Sequence, residues 1–546
     1  MSPKIRDSVE DTLKNLIEQF SDVYCFYREL IQNSLDAGTN RIDVYLKFAP
    51  GKKGRRNGVV KIHVDDYGEG MNRQIIDNEL TRLFSSSKEN DLTKIGKFGI
   101  GFVSVFAIKP QAVILDTSRD GEDWRIIFNE KKQFERIKRD YPVDGTKITM
   151  LKNGSKKFYN NFLKRSRETV EFWCKHSEAE IYFQDERINK PFDVDSPVKI
   201  YEKTKAAEIV AGYCDDESPF FGFYNQGLTL MEGRRKFFNR VMFKLKSKYL
   251  EHTLTRDNIR EDENYFKAMD ILTDIVAKKL PEKLFATIEE ELKKSKTETK
   301  LYKKCLGYAL RYMIYREEMP DKCGGRSIAR DVEGKFISVD QLLGMSSQKA
   351  FLWDIRSNDT TRALMKSGKR VIKCKAGDKL LIVLTRLSTH FWKKNRITRA
   401  SVAYFKTGVI QNKELTEIQK KLLKSVDSVI HEMGTKTGGC RFADFDYEDS
   451  CINDRIYIMQ NTPGELAPVS DLDKRGNIFT SLFSLFSKNK TLVLNRSHPY
   501  IKQMLELAGA KPDLATYFLS KLLYMDDGVD TETDAKLAMI CIDRRE

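Results

Sequence analysis

Three polar residues at helical spacing are the most informative feature of this sequence. Glu29, Asn33 and Asp36 stand at positions i, i+4 and i+7, so on a helix they share one stripe. The neighbouring Leu30 and Ile31 point elsewhere, which predicts a helix packed on an apolar core. Polar groups on such a helix are costly unless something polar binds them. The spacing therefore predicts a stripe of carboxylate and amide groups that meets a polar ligand.

A strand-like segment further along the chain ends in a carboxylate and two closely spaced glycines. Two predicted strands, 41–48 and 59–64, are followed by Asp65-Asp66-Tyr67-Gly68-Glu69-Gly70-Met71. Glycines spaced by two let the backbone approach a flat ligand closely. A carboxylate just before them can accept a hydrogen bond from an exocyclic amine. Taken alone, the motif also fits an ordinary turn.

A glycine-rich loop and a further turn follow in the sequence. Residues 95–102 read Ile-Gly-Lys-Phe-Gly-Ile-Gly-Phe and run into an apolar segment, which predicts an anion-binding loop before a helix. The glycines do not follow the first strand, and no Gly-Lys-Ser/Thr is present, so the order argues against Rossmann and Walker nucleotide sites. Residues 144–150, Asp-Gly-Thr-Lys-Ile-Thr-Met, predict a turn leading into a strand.

In this order the four motifs resemble those of the gyrase, heat-shock chaperone, histidine kinase and MutL (GHKL) ATPase superfamily. The resemblance is closest to the ninety-kilodalton heat-shock chaperones, which share the Arg-Glu-Leu-Ile, glycine-loop and Gly-Thr-Lys-Ile-Thr phrases. It implies an α+β multidomain protein. An N-terminal GHKL (Bergerat) α/β sandwich would span 1–190, and an α/β middle domain 196–385. A mainly helical C-terminal region would span 386–546, with dimerisation helices near 498–546.

The resemblance also implies roles for individual residues. Glu29 would orient and activate the attacking water, and Asn33 would bind Mg²⁺. Asp66 would hold the adenine amine with Thr146 nearby, and Asp36 would support the site. The ATP-binding residues that it implies are Asn33, Asp66, Gly68, Gly70, Met71, Gly96, Phe98, Gly99, Ile100, Gly101, Phe102 and Thr146.

Two more segments would complete such an ATPase. Residues 82–95 form a polar stretch without proline and would be the lid over ATP. Arg256, within Leu-Thr-Arg-Asp-Asn-Ile-Arg at 254–260, matches the chaperone arginine that reaches the γ-phosphate from the next domain. The alternative for this segment is an N-cap loop with a surface arginine, and Arg260 is a second candidate for the same role.

Apolar patterns predict further elements. Residues 157–176 predict a helix, 220–230 alternate like one strand, and 350–373 read as strand, helix, strand. A helix after residue 260 would bury a face carrying Phe266, Met269, Leu272, Val276 and Leu280. Near the end, a helix with Pro512 at its start has a nearly all-apolar surface, which predicts burial in its own domain or against a partner chain.

Composition limits the classes of protein. At 546 residues the chain is long enough for three or four folding units. No apolar run approaches the ~18 residues of a membrane span, and the start lacks an apolar signal segment. Nine cysteines without a CxxC pair are typical of free thiols in a reducing compartment. We therefore expect a cytoplasmic protein that does not associate with membranes.

Together these features predict a Mg²⁺-dependent ATPase of the heat-shock chaperone type, which hydrolyses ATP to ADP and phosphate. As a homodimer, it would clamp and release a protein client or partner. The net charge of +16 keeps nucleic acid open as a partner. One alternative is therefore an ATP-gated DNA clamp of the MutL or MORC kind. Another is an ATP-binding scaffold in bacterial stress or defence. No phosphoacceptor histidine helix precedes the site, which argues against a histidine kinase.

Overall fold

The computed structural model describes residues 17–18, 22–51, 57–81, 84, 101–251, 259–315, 320–345, 350–394, 396–472, 490–524 and 530–542. The chain forms two compact units, Met1–Leu280 and Pro281–Glu546. The α+β multidomain class is confirmed by the mixture of sheets and helices in both units. The domain boundaries inferred from the sequence stay predictions. None of the described helices has the length and apolarity that crossing a bilayer requires.

The first unit begins with an eight-stranded sheet and two long helices. Its elements are α1 (Phe26–Asp36), β1 (Arg41–Ala49), β2 (Gly58–Asp66), β3 (Ala112–Arg119), β4 (Glu122–Asn129), β5 (Phe134–Lys138), β6 (Thr146–Gly154), α2 (Lys156–Cys174), β7 (Glu180–Phe183) and β8 (Glu186–Arg187). Short helical segments lie at Arg73–Ile75, Ile76–Leu80 and Ser104–Ile108. The strand order is β5-β4-β3-β6-β2-β1-β7-β8, and neighbouring strands are antiparallel except β1 and β7.

The alternation of side chains along β2 explains where the site carboxylate lies. Val60, Ile62 and Val64 are buried on one face of the sheet. Because strand side chains alternate with a period of two, Asp66 continues the same face and is 7% exposed. Helix α1 packs its apolar side into the same core. The strand therefore delivers a carboxylate to the buried face at the point where the strand ends.

A second sheet follows within the first unit. It consists of β9 (Lys199–Lys203), β10 (Glu208–Tyr213), β11 (Phe220–Asn225), β12 (Leu228–Arg234) and β13 (Val241–Lys246), in the order β12-β11-β13-β10-β9. The single strand predicted at 220–230 is wrong, because β11 and β12 form an antiparallel hairpin. Gln226 and Gly227 both have positive φ, as the turn of a tight hairpin requires. Apolar residues stand close on both sides of this short turn, so the sequence pattern did not separate the two strands.

The helix predicted after residue 260 exists, but its buried face is shifted. Helix α3 (Glu263–Asp274) buries Tyr265, Ala268 and Leu272, whereas Phe266 is 55% exposed. The helix then passes through a wide π turn at Ile275–Lys279 before α4 (Leu280–Lys294). A π turn changes the angular spacing of side chains. A regular helical repeat could therefore not place Phe266 correctly.

A buried polar network joins the end of α2 to the second sheet. His176 is 4% exposed; its Nδ1 lies 3.0 Å from Lys190 O and its Nε2 lies 2.9 Å from Lys244 Nζ. An ammonium group donates and does not accept, so Nε2 accepts and Nδ1 carries the ring proton. Beside it, Lys175 Nζ pairs with Glu232 Oε2 at 2.7 Å. The contact between the segment after α2 and the second sheet therefore includes a neutral imidazole.

We expect the first unit to lose stability as the pH falls from about 6.5 to about 4, in part because of His176. Burial and the nearby Lys244 lower the pKa of His176 to about 4, while an unfolded histidine titrates near about 6.5. The unfolded chain therefore binds more protons in this window, which favours unfolding by about 3 kcal/mol once the window is crossed. The free energy of unfolding is measured by urea unfolding of wild type and His176→Gln across this pH range. The variant should show the shallower pH dependence, and equal slopes would refute the assignment.

The second unit contains several small sheets. Its helices are α5 (Lys300–Tyr315), α6 (Asp321–Gly324), α7 (Val339–Gly344), α8 (Asp359–Lys366), α9 (Lys379–Trp392), α10 (Ala400–Ala403), α11 (Glu417–Glu432), α12 (Pro499–Ala510), α13 (Pro512–Tyr524) and α14 (Thr531–Ile542). Its strands are β14 (Ser327–Arg330), β15 (Phe336–Ser338), β16 (Phe351–Asp354), β17 (Val371–Lys373), β18 (Ile397–Arg399), β19 (Tyr404–Lys406), β20 (Gly408–Val409), β21 (Cys440–Asp444), β22 (Tyr457–Gln460), β23 (Leu466–Pro468) and β24 (Thr491–Asn495). The predicted strand–helix–strand is confirmed, since β16 and β17 pair in parallel on either side of α8 in the chain.

The C-terminal end of the chain is helical, as predicted. Helices α11, α12 and α13 share one core with the central strands β21 and β24. We expected α13 to be buried on all sides. Within this chain only one side of the helix is buried. Ala515, Leu519 and Leu523 are buried, whereas Leu514 and Phe518 are 37% and 38% exposed. An apolar face of α13 therefore stays open to solvent in the single chain.

Candidate functional site

Asp66 is the centre of the site, and three protein groups donate hydrogen bonds to it. Its Oδ1 accepts from the backbone N–H groups of Gly68 at 3.0 Å and Thr146 at 3.2 Å. Its Oδ2 accepts from the Ser34 hydroxyl of α1, also at 3.0 Å. A carboxylate offers about four lone-pair positions, so both positions on Oδ1 are used and one on Oδ2 remains. The buried carboxylate can therefore accept one more hydrogen bond from a ligand.

Opposing effects act on the ionisation of Asp66. Burial is the largest and raises the pKa of this carboxyl above its ordinary value. The three donated hydrogen bonds and the nearby Lys147 work against that rise. Each donor favours the charged, acceptor-only form of the carboxyl group. The site thus holds a desolvated hydrogen-bond acceptor at a fixed position.

The glycines around Asp66 are required by close backbone contacts. Gly70 has a φ of +66°, and a Cβ there would lie 2.1 Å from Ser118 O. A Cβ on Gly68 would lie 2.7 Å from Ala37 O at the end of α1. Gly145, with a φ of +67°, would place a Cβ 2.4 Å from Asp66 O. Distances below 3 Å leave no room for a side chain, so only glycine lets α1 and the loops after β2 and before β6 approach each other.

Two threonines fasten the far end of the same loop. Thr117 on β3 and Thr146 on β6 face each other across the strand pair, with their hydroxyl oxygens 3.2 Å apart. The Met71 N–H donates to Thr117 Oγ1 at 2.8 Å. Thr117 is fully buried and Thr146 is 8% exposed. The loop of residues 66–71 is therefore held at its beginning through Asp66 and at its end through Met71.

Glu29 and Gly101 lie next to each other across the site. A Cβ on Gly101 would be 2.9 Å from Glu29 Oε2, so the carboxylate reaches this position because glycine has no side chain. Gly101 lies in a short helical stretch that leads into the segment Ser104–Ile108, and Ser104 Oγ donates to Gly101 O at 2.6 Å. The structure thus brings the first motif and the end of the glycine-rich loop together.

The other two residues of the helical stripe differ in their surroundings. Asn33 is half-buried, and within the described residues its side-chain amide makes no hydrogen bond. Its oxygen is therefore available as a ligand, and amide oxygens suit Mg²⁺. Asp36 is exposed and accepts a hydrogen bond from Gln32 Nε2 at 3.0 Å. The supporting role of Asp36 stays a prediction, and Ser34 is the residue of α1 that donates a hydrogen bond to Asp66.

The remaining predicted site residues fall into two groups. Phe102 is 2% exposed and packs its ring against Phe84, Phe106 and Phe128, so its side chain belongs to the core. Predicted residues outside the described part of the chain are the rest of the glycine-rich loop, most of the lid and the arginine loop: Gly96, Phe98, Gly99, Ile100, 82–83, 85–95 and Arg256.

Sequence reasoning overlooked Ser34 and Thr117. Ser34 stands four residues after Leu30 and so lies on the apolar side of α1, where it is 4% exposed. A serine among core positions in mid-helix was the available signal, because its hydroxyl needs a partner there. Thr117 carried a weaker signal, since threonine is common in strands. Its partner Met71 is 46 residues away in the chain, so only the folded sheet reveals the contact.

Residues 27–157 match the family described as histidine kinase-, DNA gyrase B- and HSP90-like ATPase. This segment contains α1, the loop after β2, the glycine-rich loop and the Thr146 strand. The chain therefore carries an N-terminal ATPase domain of the GHKL kind, and the predicted superfamily is confirmed for this part of the protein.

Curated proteins similar to the chain include bacterial chaperones. It is 30% identical to "Chaperone protein HtpG" of Anaplasma phagocytophilum over 35% of this chain and 33% of that protein. It is 24% identical to the HtpG of Clostridium acetobutylicum over 38% of this chain and 36% of that protein. It is also 27% identical to human "Sacsin" over 29% of this chain but only 4% of that protein. The chain thus spans about a third of the length of the chaperones that it matches.

Proposed function

We propose that this protein binds Mg²⁺-ATP in the site around Asp66 and hydrolyses it to ADP and phosphate. The observation that carries the proposal is the buried Asp66 carboxylate with one acceptor position left on Oδ2. An exocyclic amine such as that of adenine fits one remaining acceptor. The close backbone contacts of Gly68, Gly70 and Gly145 hold the loops around this carboxylate in place. The family match over residues 27–157 supports the same ligand.

In the proposed reaction, a few residues have separate roles in ATP binding and hydrolysis. Glu29 orients the attacking water and accepts its proton, which suits a carboxylate placed beside Gly101. Asn33 supplies the protein oxygen for Mg²⁺, whose charge neutralises the phosphates. The backbone N–H groups of the glycine-rich loop bind the phosphates. Arg256 acts from outside this domain on the γ-phosphate, so that hydrolysis depends on domain movement.

We further propose that ATP drives a chaperone-like cycle in a homodimer, with a lid at 82–95 and release of a protein client after hydrolysis. The similarity to the HtpG chaperones supports a cycle of this type. The exposed Leu514 and Phe518 on α13 supply an apolar surface for a second chain. All nine cysteines are free thiols, which supports a reducing compartment such as the cytoplasm.

An ATP-gated nucleic-acid clamp is the second candidate function. The observation that favours it is the net charge of +16, because a polyanion is attracted to such an excess of lysine and arginine. Binding of this kind weakens steeply as salt rises, while a chaperone that holds apolar segments of a client does not depend on salt in the same way.

Phosphate release by the full-length chain tests the proposal. Turnover is measured with Mg²⁺-ATP alone, with an unfolded protein and with duplex DNA at low and moderate salt, and the solution mass is determined in parallel. We expect Mg²⁺-dependent turnover that an unfolded protein changes, from a particle of twice the chain mass. Stimulation by DNA that disappears with salt would favour the clamp. No turnover under any of these conditions would contradict the proposed activity.

A further inference from the structure

The hydroxyl groups of Thr117 and Thr146 are in contact, and the hydroxyl proton of Thr117 can point in either of two directions. Thr117 Oγ1 accepts the Met71 N–H at 2.8 Å. Its own proton has two acceptors within reach, Thr146 Oγ1 at 3.2 Å and Gly145 O at 3.3 Å. A hydroxyl has one proton to give. The choice between these acceptors therefore decides what the Thr146 hydroxyl can offer to a ligand.

The two orientations of the Thr117 proton give a ligand different hydrogen-bonding groups at Thr146. If Thr117 donates to Thr146 Oγ1, the Thr146 proton is free to point towards a ligand acceptor. If Thr117 donates to Gly145 O, its oxygen can accept the Thr146 proton, and Thr146 then offers a ligand only a lone pair. Asp66 lies next to Thr146, since it accepts the Thr146 N–H. The first choice sets a donor beside an acceptor, and the second sets two acceptors side by side.

We infer that Thr117 is a positioning residue for the nucleotide base, and this inference rests on the proposed ATP site. Its hydroxyl fixes the Met71 backbone on one side of the pocket and directs the Thr146 hydroxyl on the other. Adenine presents an amine donor next to a ring-nitrogen acceptor, which matches the Asp66 acceptor beside a Thr146 donor. Guanine presents an acceptor next to an N–H donor. It should bind more weakly, because the buried Asp66 carboxylate would face another acceptor.

Variants of Thr117 separate its hydroxyl from its methyl group. Thr117→Val keeps the shape and removes the hydroxyl, Thr117→Ala removes the hydroxyl without adding bulk, and Thr117→Ser keeps the hydroxyl. The matched control is Thr149→Val on β6, because the Thr149 hydroxyl contacts His63 Nδ1 at 2.9 Å on the opposite face of the sheet. Each full-length variant is checked for folding by circular dichroism and thermal melting.

Equilibrium binding of ATP and GTP, followed with fluorescent nucleotides, provides the readout. We expect Thr117→Val and Thr117→Ala to bind ATP about tenfold more weakly and to lose most of the preference over GTP. Thr117→Ser and Thr149→Val should stay within about threefold of wild type for both nucleotides. At saturating ATP the kcat of Thr117→Val should change little, since the hydroxyl acts on the base and not on the phosphates.

Several outcomes would overturn the inference. The inference would be wrong if Thr117→Val bound ATP with wild-type affinity and kept the preference for ATP over GTP. It would also be wrong if Thr117→Ser bound ATP as weakly as Thr117→Val, because the methyl group and not the hydroxyl would then be required. Unfolding of both hydroxyl-free variants would show that Thr117 serves stability alone. A wild-type chain that binds neither nucleotide would overturn the proposed function as well. Normal ATP binding by wild type and Thr117→Val alike would overturn only this inference.

Discussion

Replacing Glu29 with alanine should abolish ATP turnover while leaving ATP bound. The carboxylate lies against Gly101, and we propose that it takes a proton from the water that attacks the terminal phosphate. Loss of a general base lowers kcat by about 100-fold or more. The base-binding side of the pocket, centred on Asp66, is formed by other residues, so the Kd for ATP should stay within about threefold. Phosphate release at saturating Mg²⁺-ATP and a separate binding titration measure the two quantities.

Two additional variants sharpen this test. Glu29→Gln keeps the size of the side chain but cannot accept the proton, and it should lose turnover as severely as the alanine variant. Glu168→Ala is the control, because Glu168 is an exposed helical glutamate on α2 that pairs with Lys164. Its turnover should equal that of wild type. Wild-type hydrolysis by Glu29→Gln would rule out Glu29 as the base.

Replacing Asp66 with asparagine should remove ATP binding itself. The asparagine amide brings N–H donors to a position where Ser34, Gly68 and Thr146 already donate. One oxygen cannot serve three protein donors and the ligand amine, so the ligand loses its acceptor. A site built around a buried hydrogen bond binds a ligand much more weakly when that bond cannot form. We therefore expect the affinity for ATP to fall by at least about 100-fold. Calorimetric titration with Mg²⁺-ATP measures the change.

The neighbouring aspartate is a close control for that variant. Asp65 lies on the opposite face of β2, where its Oδ2 accepts the Tyr45 hydroxyl at 3.1 Å, and burial raises its pKa to about 6. Asp65→Asn makes the same chemical change one residue away and should bind ATP within about threefold of wild type. Equal loss of binding in both variants would show that the effect comes from the sheet as a whole and not from the Asp66 acceptor.

Local spacing was sufficient to predict the framework of the site. The stripe on α1 followed from helical periodicity, and Asp66 was singled out because it stands at the end of a predicted strand, just before two closely spaced glycines. The glycines were predicted to let the backbone approach a flat ligand, whereas in the structure they allow close contacts between backbone segments of the protein itself. The structure places Glu29 beside Gly101, and the shared ATP site of Glu29, Asp66 and Gly101 stays a prediction.

Features that depend on distant contacts could not be predicted in the same way. Ser34 reaches Asp66 across 32 residues of chain and Thr117 reaches Met71 across 46. Neither residue belongs to a motif, and each is an ordinary choice for its helix or strand. The hairpin at Gln226 and Gly227 was hidden for a different reason, because apolar residues stand close on both sides of its short turn. Its Gln-Gly pair with positive φ was the local sign.

The most direct test of the central claim is a calorimetric titration of the wild-type chain with Mg²⁺-ATP. The proposed site predicts one ATP bound per chain with a Kd between about 1 μM and 1 mM, the range in which enzymes commonly bind their substrates. The same titration with GTP should give much weaker binding, because Asp66 accepts from an amine that guanine does not present there. No heat of binding and no rise in melting temperature at millimolar ATP would contradict the account.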